Sequence, residues 1–383
     1  MNCLLRKAIM VILKNRKHLF FVALVFLMTT VLSSIGCGKS AETNKNNDYI
    51  SYISFSPDGK RIIFDRQKGK GPYLVNVYDL ETGMLSAYQS PSDERWSMAR
   101  YSFDGKYIVL CIYNLNGISL QFDKIQIAIM DPEGKNMRKI TDSEGPKVLP
   151  SFSHSSEKII FNKASKIRES GKTPAADFDI YEVDIRTRKE TRLTWFKFFA
   201  MDPPYFYPDD ETIIFGAYAK PLMYPDIDEN DHKANWERQR FLVEKDKKRG
   251  RILPNNDIYV IKKGAVVLPN PFVCDIDGIT DPLISRDGKH IYFCGTARKP
   301  DGIYAEGHQF YQYSVDGKHR RLTYITPPSN IYSAALSPDE QYLAIVTGAN
   351  ESRIIKLCNI KDGTSRTINL PDQPSSIINL NPN

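Results

Sequence analysis

Residues Ser54–Phe64 read SFSPDGKRIIF, a polar turn, SPDGK, that runs directly into an apolar strand. Proline presets φ, aspartate bonds nearby main-chain amides and glycine accepts φ > 0, so this turn reverses the chain. With Ser56 as anchor, the pattern returns at Ser102, Ser153, Tyr207, Ser285 and Ser337, where the turns read SFDGK, SHSSE, YPDDE, SRDGK and SPDEQ. The residues six, seven and eight past each anchor are apolar in all six copies, beginning with Ile62, Ile63 and Phe64. A strand with one wet face alternates. Three consecutive apolar positions require cover on both faces, which a stack of small sheets supplies.

Each copy has a second half of strand, turn and strand, as in LVNVYDLETGMLSAY and DIYEVDIRTRKETRLT. With an initial strand ending at Phe55, Tyr101, Phe152, Phe206, Ile284 or Leu336, every unit is expected to hold four antiparallel strands. The anchors lie 46, 51, 54, 78 and 52 residues apart, a period suited to propeller blades. The fold expected is all-β: a six-bladed β-propeller of four-stranded antiparallel blades over residues 48–383, with an insertion at 220–256. Such a ring buries the sheet faces and leaves only short edges.

The SPDGKxIxF turn, the IYxxD strand and the closing RxLT resemble the TolB-type, WD-like β-propeller repeat from about Asp48 to Leu370. That resemblance implies the fold and says little of function. TolB is a periplasmic partner of the Tol-Pal envelope system and has a further domain before its propeller, which finds no counterpart here. Prolyl-oligopeptidase-like enzymes join similar repeats to a hydrolase domain, but no G-x-S-x-G elbow occurs in this sequence. Oligogalacturonate lyases, which also resemble this repeat family, supply the enzyme alternative, a metal-dependent polysaccharide lyase with histidine ligands in the ring.

A net charge of +7 raises the question of a nucleic-acid partner. Five of the basic residues, Arg6, Lys7, Lys14, Arg16 and Lys17, precede Cys37 with no acid among them, so only +2 is left beyond. That is too small a footprint for phosphate binding. After those bases comes an apolar run, Leu19–Leu32, too short for a typical spanning helix, and then SSIGCGKS. Gly36-Cys37 resembles a bacterial lipoprotein signal, although Ser34 stands where that family usually has Leu; Ser34 and Gly36 also satisfy the small-x-small rule for simple signal cleavage. The expectation is a signal peptide over 1–36, a lipidated Cys37 leading a polar tether over 37–47, and a body outside the cytoplasm.

The insertion, Lys220–Asn256, gathers acids first and bases last. Within it Asp226, Asp228, Asn230 and Glu237 fall at positions one, three, five and twelve of an EF-hand-like spacing, a weak candidate for Ca²⁺ because Asp231 stands where the turn needs glycine. His154, His232, His290, His308 and His319 lack partners at metal-ligand spacing, which argues against the lyase. No phosphate loop, dinucleotide fingerprint or CxxC pair appears. Cys111 and Cys294 share a register nine residues past their anchors, and with Cys274 and Cys358 they read as buried free thiols. No catalytic residue and no cofactor emerge, and the functional expectation is a non-catalytic, membrane-tethered scaffold that recognises a protein, peptide or glycan.

Overall fold

The computed structural model describes residues 47–117, 119–167, 175–198, 200–218, 257–267, 276–297, 307–314, 318–325, 329–349 and 352–379. Among them every element is a strand except one 3-10 turn, Phe122–Lys124. In the first unit Asp48–Phe55, Arg61–Lys68, Tyr73–Asp79 and Leu85–Gln89 pair antiparallel in chain order. The same order recurs in the later units, anchored at Ser102, Ser153, Ser285 and Ser337.

The fourth unit departs from the expected pattern. Its first strand is split into Ala200–Met201 and Tyr205–Phe206 around Pro203 and Pro204, which have no N–H to give a ladder. Nor do Val266 and Val267 extend an outer strand; they lie exposed after Gly264. The flanks of the insertion meet as expected, with Ala217 opposite Asp257 in the antiparallel pair Thr212–Tyr218 and Asp257–Lys262.

The anchor serine acts through hydrogen bonds. Ser56 Oγ donates to Asp58 at 2.6 Å and accepts the Arg61 N–H at 2.9 Å, and Ser102, Ser285 and Ser337 repeat both bonds. Tyr207 cannot reproduce them. There Asp209 takes the Thr212 N–H at 2.7 Å instead. The closing RxLT has a similar logic: the Thr194 and Thr323 hydroxyls each accept an N–H from the preceding strand, at Ile180 and Phe310, both at 2.9 Å.

Of the apolar triplets, all residues are buried except Ile291, which is partly so. Fully burying each isoleucine or phenylalanine contributes about 1.5–3 kcal/mol. The clusters they build lie between units rather than within them. Ile63 packs with Leu110 between units one and two, Val109 with Ile159 between two and three, and Ile160 with Phe215 between three and four. Ile214 with Phe293 and Tyr292 with Ile345 continue the series, and Phe64 with Val346 joins the sixth unit to the first.

A second circle of contacts runs through the turns. The residue three past each anchor, Gly59, Gly105, Ser156, Asp210, Gly288 or Glu340, has positive φ in every unit. Where it is glycine, it sits against a proline of the preceding unit's turn: Gly59 on Pro338, Gly105 on Pro57 and Gly288 on Pro208. Elsewhere the preceding turn has main-chain N–H groups to satisfy, and the side chain accepts them. Ser156 takes the Asp104 N–H at 3.2 Å, Asp210 those of His154 and Ser155, and Glu340 that of Arg286 at 2.7 Å.

The chain ends by crossing back to its beginning. Ser376–Asn379 adds to Leu85–Gln89 as a parallel strand, and Arg66 donates to the Pro371 carbonyl at 2.7 Å. At the same seam the Arg353 guanidinium lies between the rings of Tyr49 and Tyr332, 4.0 and 3.7 Å from their centroids. Among the described residues no helix is long and apolar enough to cross a membrane.

Candidate functional site

In four units the first strand is irregular at the same place. Tyr52, Met98, Leu149 and Asp281, all four residues before their anchors, have φ between 50 and 61°, and the ladder register shifts beside each of them. Left-handed backbone is costly for such side chains, and bulges of this kind re-aim the residues that follow. Two residues on, Ser54, Arg100, Ser151, Tyr205, Leu283 and Ala335 come from six different units and line one cavity of about 180 Å³. The next residues in each strand, Phe55 and its equivalents, form its apolar walls.

The six residues of that layer are unlike one another, and the differences set the chemistry. Arg100 is the only charged member, and its guanidinium lies 5.0 Å from the centroid of the Tyr205 ring. Below it the Asp281 N–H donates to the Asp202 carboxylate at 3.1 Å. Burial, and then the Asp202 charge, hold the Asp281 carboxyl well above the usual carboxylate range, with Arg100 opposing. Asp202 has room there because residue 216 is glycine; a Cβ on Gly216 would fall 2.1 Å from the Asp202 Oδ2.

At the mouth Phe103, 45% exposed, stacks on His154 with ring centroids 4.2 Å apart. Burial lowers the His154 pKa, so the ring is neutral at pH 7. Arg286 and Glu340 complete the rim. Both Glu340 oxygens are engaged, one by the Arg286 N–H and the other by the Tyr292 hydroxyl at 3.2 Å. The lining serines are also spent: Ser102 and Ser337 on their own turns, Ser151 on the Pro204 carbonyl. Neither Arg100 nor Arg286 has an ion-pair partner within 4.0 Å among the described residues.

A second polar network lies between units one and two. Asp65 is fully buried and accepts from Tyr73 at 2.9 Å, from the Met98 N–H at 3.0 Å and from Ser97. Burial raises its pKa to about 6. Arg95 lies flat over Tyr73, 3.5 Å from the ring centroid. The register that holds Asp65 also holds Cys111 and Cys294, and these two thiols, with Cys358, are buried and free as expected from the sequence.

Cys37, Asp226, Asp228, Asn230 and Glu237 lie outside the described residues, as do His232 and Cys274. Among the described residues no three of His, Cys, Asp and Glu converge as metal ligands. His308 is half-buried, and that burial lowers its pKa and keeps it neutral, while His154 belongs to the mouth rather than to a merely structural turn. The sequence reading missed Arg100, Tyr205 and Arg286. The available signal was their variability: positions that differ from copy to copy inside an otherwise uniform repeat.

No family model matches the chain, and no curated protein does. Solved structures do. TolB from Acinetobacter baumannii is similar over 91% of this chain and 69% of its own, with TM-score 0.54 and 16% identity. The fold is a TolB-like β-propeller. Hydrazine synthase of Kuenenia stuttgartiensis (TM-score 0.51, 15% identity) and an oligogalacturonate lyase in complex with manganese (0.50, 13%) are similar over 85% of this chain and 79% of theirs. At such identities the likeness is one of fold, shared by proteins of unrelated activity.

Proposed function

We propose that the chain is a six-bladed β-propeller of four-stranded blades, lipid-anchored at Cys37 outside the cytoplasm, and that it is a binding protein whose partner seats at the axial mouth. The observation that supports this most is the composition of the cavity: every unit contributes to it, its walls are apolar, and two guanidiniums line it without ion-pair partners among the described residues. Concave apolar sites with a few convergent polar groups are the usual places of ligand recognition. The lyase alternative requires a set of metal ligands, and none assembles among the described residues.

A photo-crosslinking residue at Phe103, compared with one at the exposed Met84 on the outer side of the first unit, tests the reading in native envelopes. A discrete adduct from Phe103 and none from Met84 is the expected result. Adducts from Met84 alone move the binding surface to the outer side of the first unit. The anchor is tested separately: Cys37→Ala should shift the protein out of the membrane fraction, because stable anchoring takes more than one acyl chain and a lipoprotein cysteine carries them.

A further inference from the structure

The polar groups that line the axial cavity are mostly committed to the fold. The Ser102 and Ser337 hydroxyls hold their turns, Ser151 is bonded to Pro204, Ser54 Oγ donates to the Phe55 carbonyl at 3.4 Å, and both Glu340 oxygens are bonded. A sugar ring would bring hydroxyls that each need a partner, and leaving them unpaired in a buried site costs about 1–3 kcal/mol apiece. What the lining still offers is the neutral His154 ring, the Tyr205 hydroxyl beside Arg100 and, as its only charged donors, guanidinium N–H from Arg100 and Arg286, surrounded by Phe55, Phe152, Leu283 and Leu336. A ligand that suits it pairs one anionic group with an apolar body. Guanidinium matches a carboxylate in a two-pronged geometry.

Size narrows the choice further. A cavity of about 180 Å³ is close to the roughly 150 Å³ that holds a single benzene-sized group. It takes one side chain, not a drug-sized molecule or an extended segment. We infer that the axial cavity captures the C-terminal residue of a protein partner, the apolar side chain resting against Phe152, Leu283 and Leu336 and the terminal carboxylate bonded by Arg100, with Arg286 at the rim. The inference rests on the axial mouth being the binding site, and it names the chemistry that the site reads. A main-chain carboxylate is the one anion that every protein chain carries beside a side chain of free choice.

The test uses the folded, full-length protein and a fluorescein-labelled hexapeptide of glycine and serine ending in leucine, read by fluorescence anisotropy. The free acid should bind, its C-terminal amide at least tenfold more weakly, and the difference should vanish in Arg100→Gln. Binding of the free acid should weaken as salt is raised, and 4-methylpentanoic acid should compete for the site. Equal binding of acid and amide, or binding of neither, overturns the inference. Binding of the small acid without the peptide overturns it too, and marks the site as one for free carboxylic acids.

Leu283→Trp, which fills the cavity, separates this inference from the reading beneath it. If that variant still captures the native partner from envelopes, the axial site itself is wrong. If capture is lost while acid and amide bind alike, only the carboxylate is.

Discussion

The Asp210 carboxylate accepts the main-chain N–H of His154 at 2.6 Å, across the boundary between the third and fourth units. Its other oxygen takes the Ser155 N–H at 3.0 Å. Asp210 holds φ at 53° to make these bonds, a conformation that glycine adopts without cost in three of the other turns. The rule is complementary. Glycine follows a proline-bearing turn, which has one N–H fewer to satisfy, and an acceptor follows a turn that needs one.

Asp210→Gly should therefore lower stability by about 1 kcal/mol, the loss of one partly buried and one exposed bond offset by relief of backbone strain. His154→Pro in that background should restore part of the loss, because it removes the N–H left without a partner. Chemical denaturation of the four proteins of this double-mutant cycle gives the coupling directly. Additive effects would mean that the two turns do not communicate.

Lys147 occupies a place that is apolar in the other five units, where Ile50, Trp96, Met201, Ile279 and Ile331 are buried. Its side chain has no exposed surface, and its ammonium donates to the Ser143 and Gly145 carbonyls. Burial pulls its pKa down to about 8 from an ordinary 10.5. Between those values the unfolded chain binds the proton more tightly than the folded protein, so stability should rise with pH from about 8 to 10.5. Lys147→Met should abolish that rise and leave the protein at least as stable at pH 7. Denaturation midpoints at pH 7, 8, 9 and 10 decide it, and a wild-type profile that falls over this range would contradict the burial argument.

The turns and the apolar triplets were legible because they repeat: Ser56, Asp58 and Ile62–Phe64 act locally, and local chemistry copied in each unit leaves a pattern in one dimension. The site was not legible for the opposite reason. Arg100 and Tyr205 belong to units two and four and meet only because bulged first strands converge on an axis. Asp202 and Gly216 show the same thing, since nothing in the sequence says that an absent Cβ in one strand makes room for a carboxylate from another. The irregular backbone at Val266–Val267 and the split around Pro203 and Pro204 are departures within a single unit, which averaging over copies conceals.

Because Ala217 and Asp257 are paired neighbours, the insertion is closed at its base by the fold. Replacing residues 221–254 by a short glycine-serine link should leave the melting temperature within a few degrees of the parent, since closing a loop between adjacent ends costs little. A large drop in calorimetric melting temperature would show that the insertion supports the ring.

The six units are held to one another as well as within themselves: their apolar clusters and turn contacts pass from unit to unit, with Phe64 and Val346 packed across the seam from last to first. Removing residues 331–383 would bare the faces that Ile62, Phe64 and Tyr292 share with neighbours and abolish the axial cavity. Thermal unfolding of that truncated protein, followed by calorimetry, is the most direct test. A single closed body predicts loss of the cooperative transition and of ligand capture together; a cooperative transition at the parent temperature would contradict it.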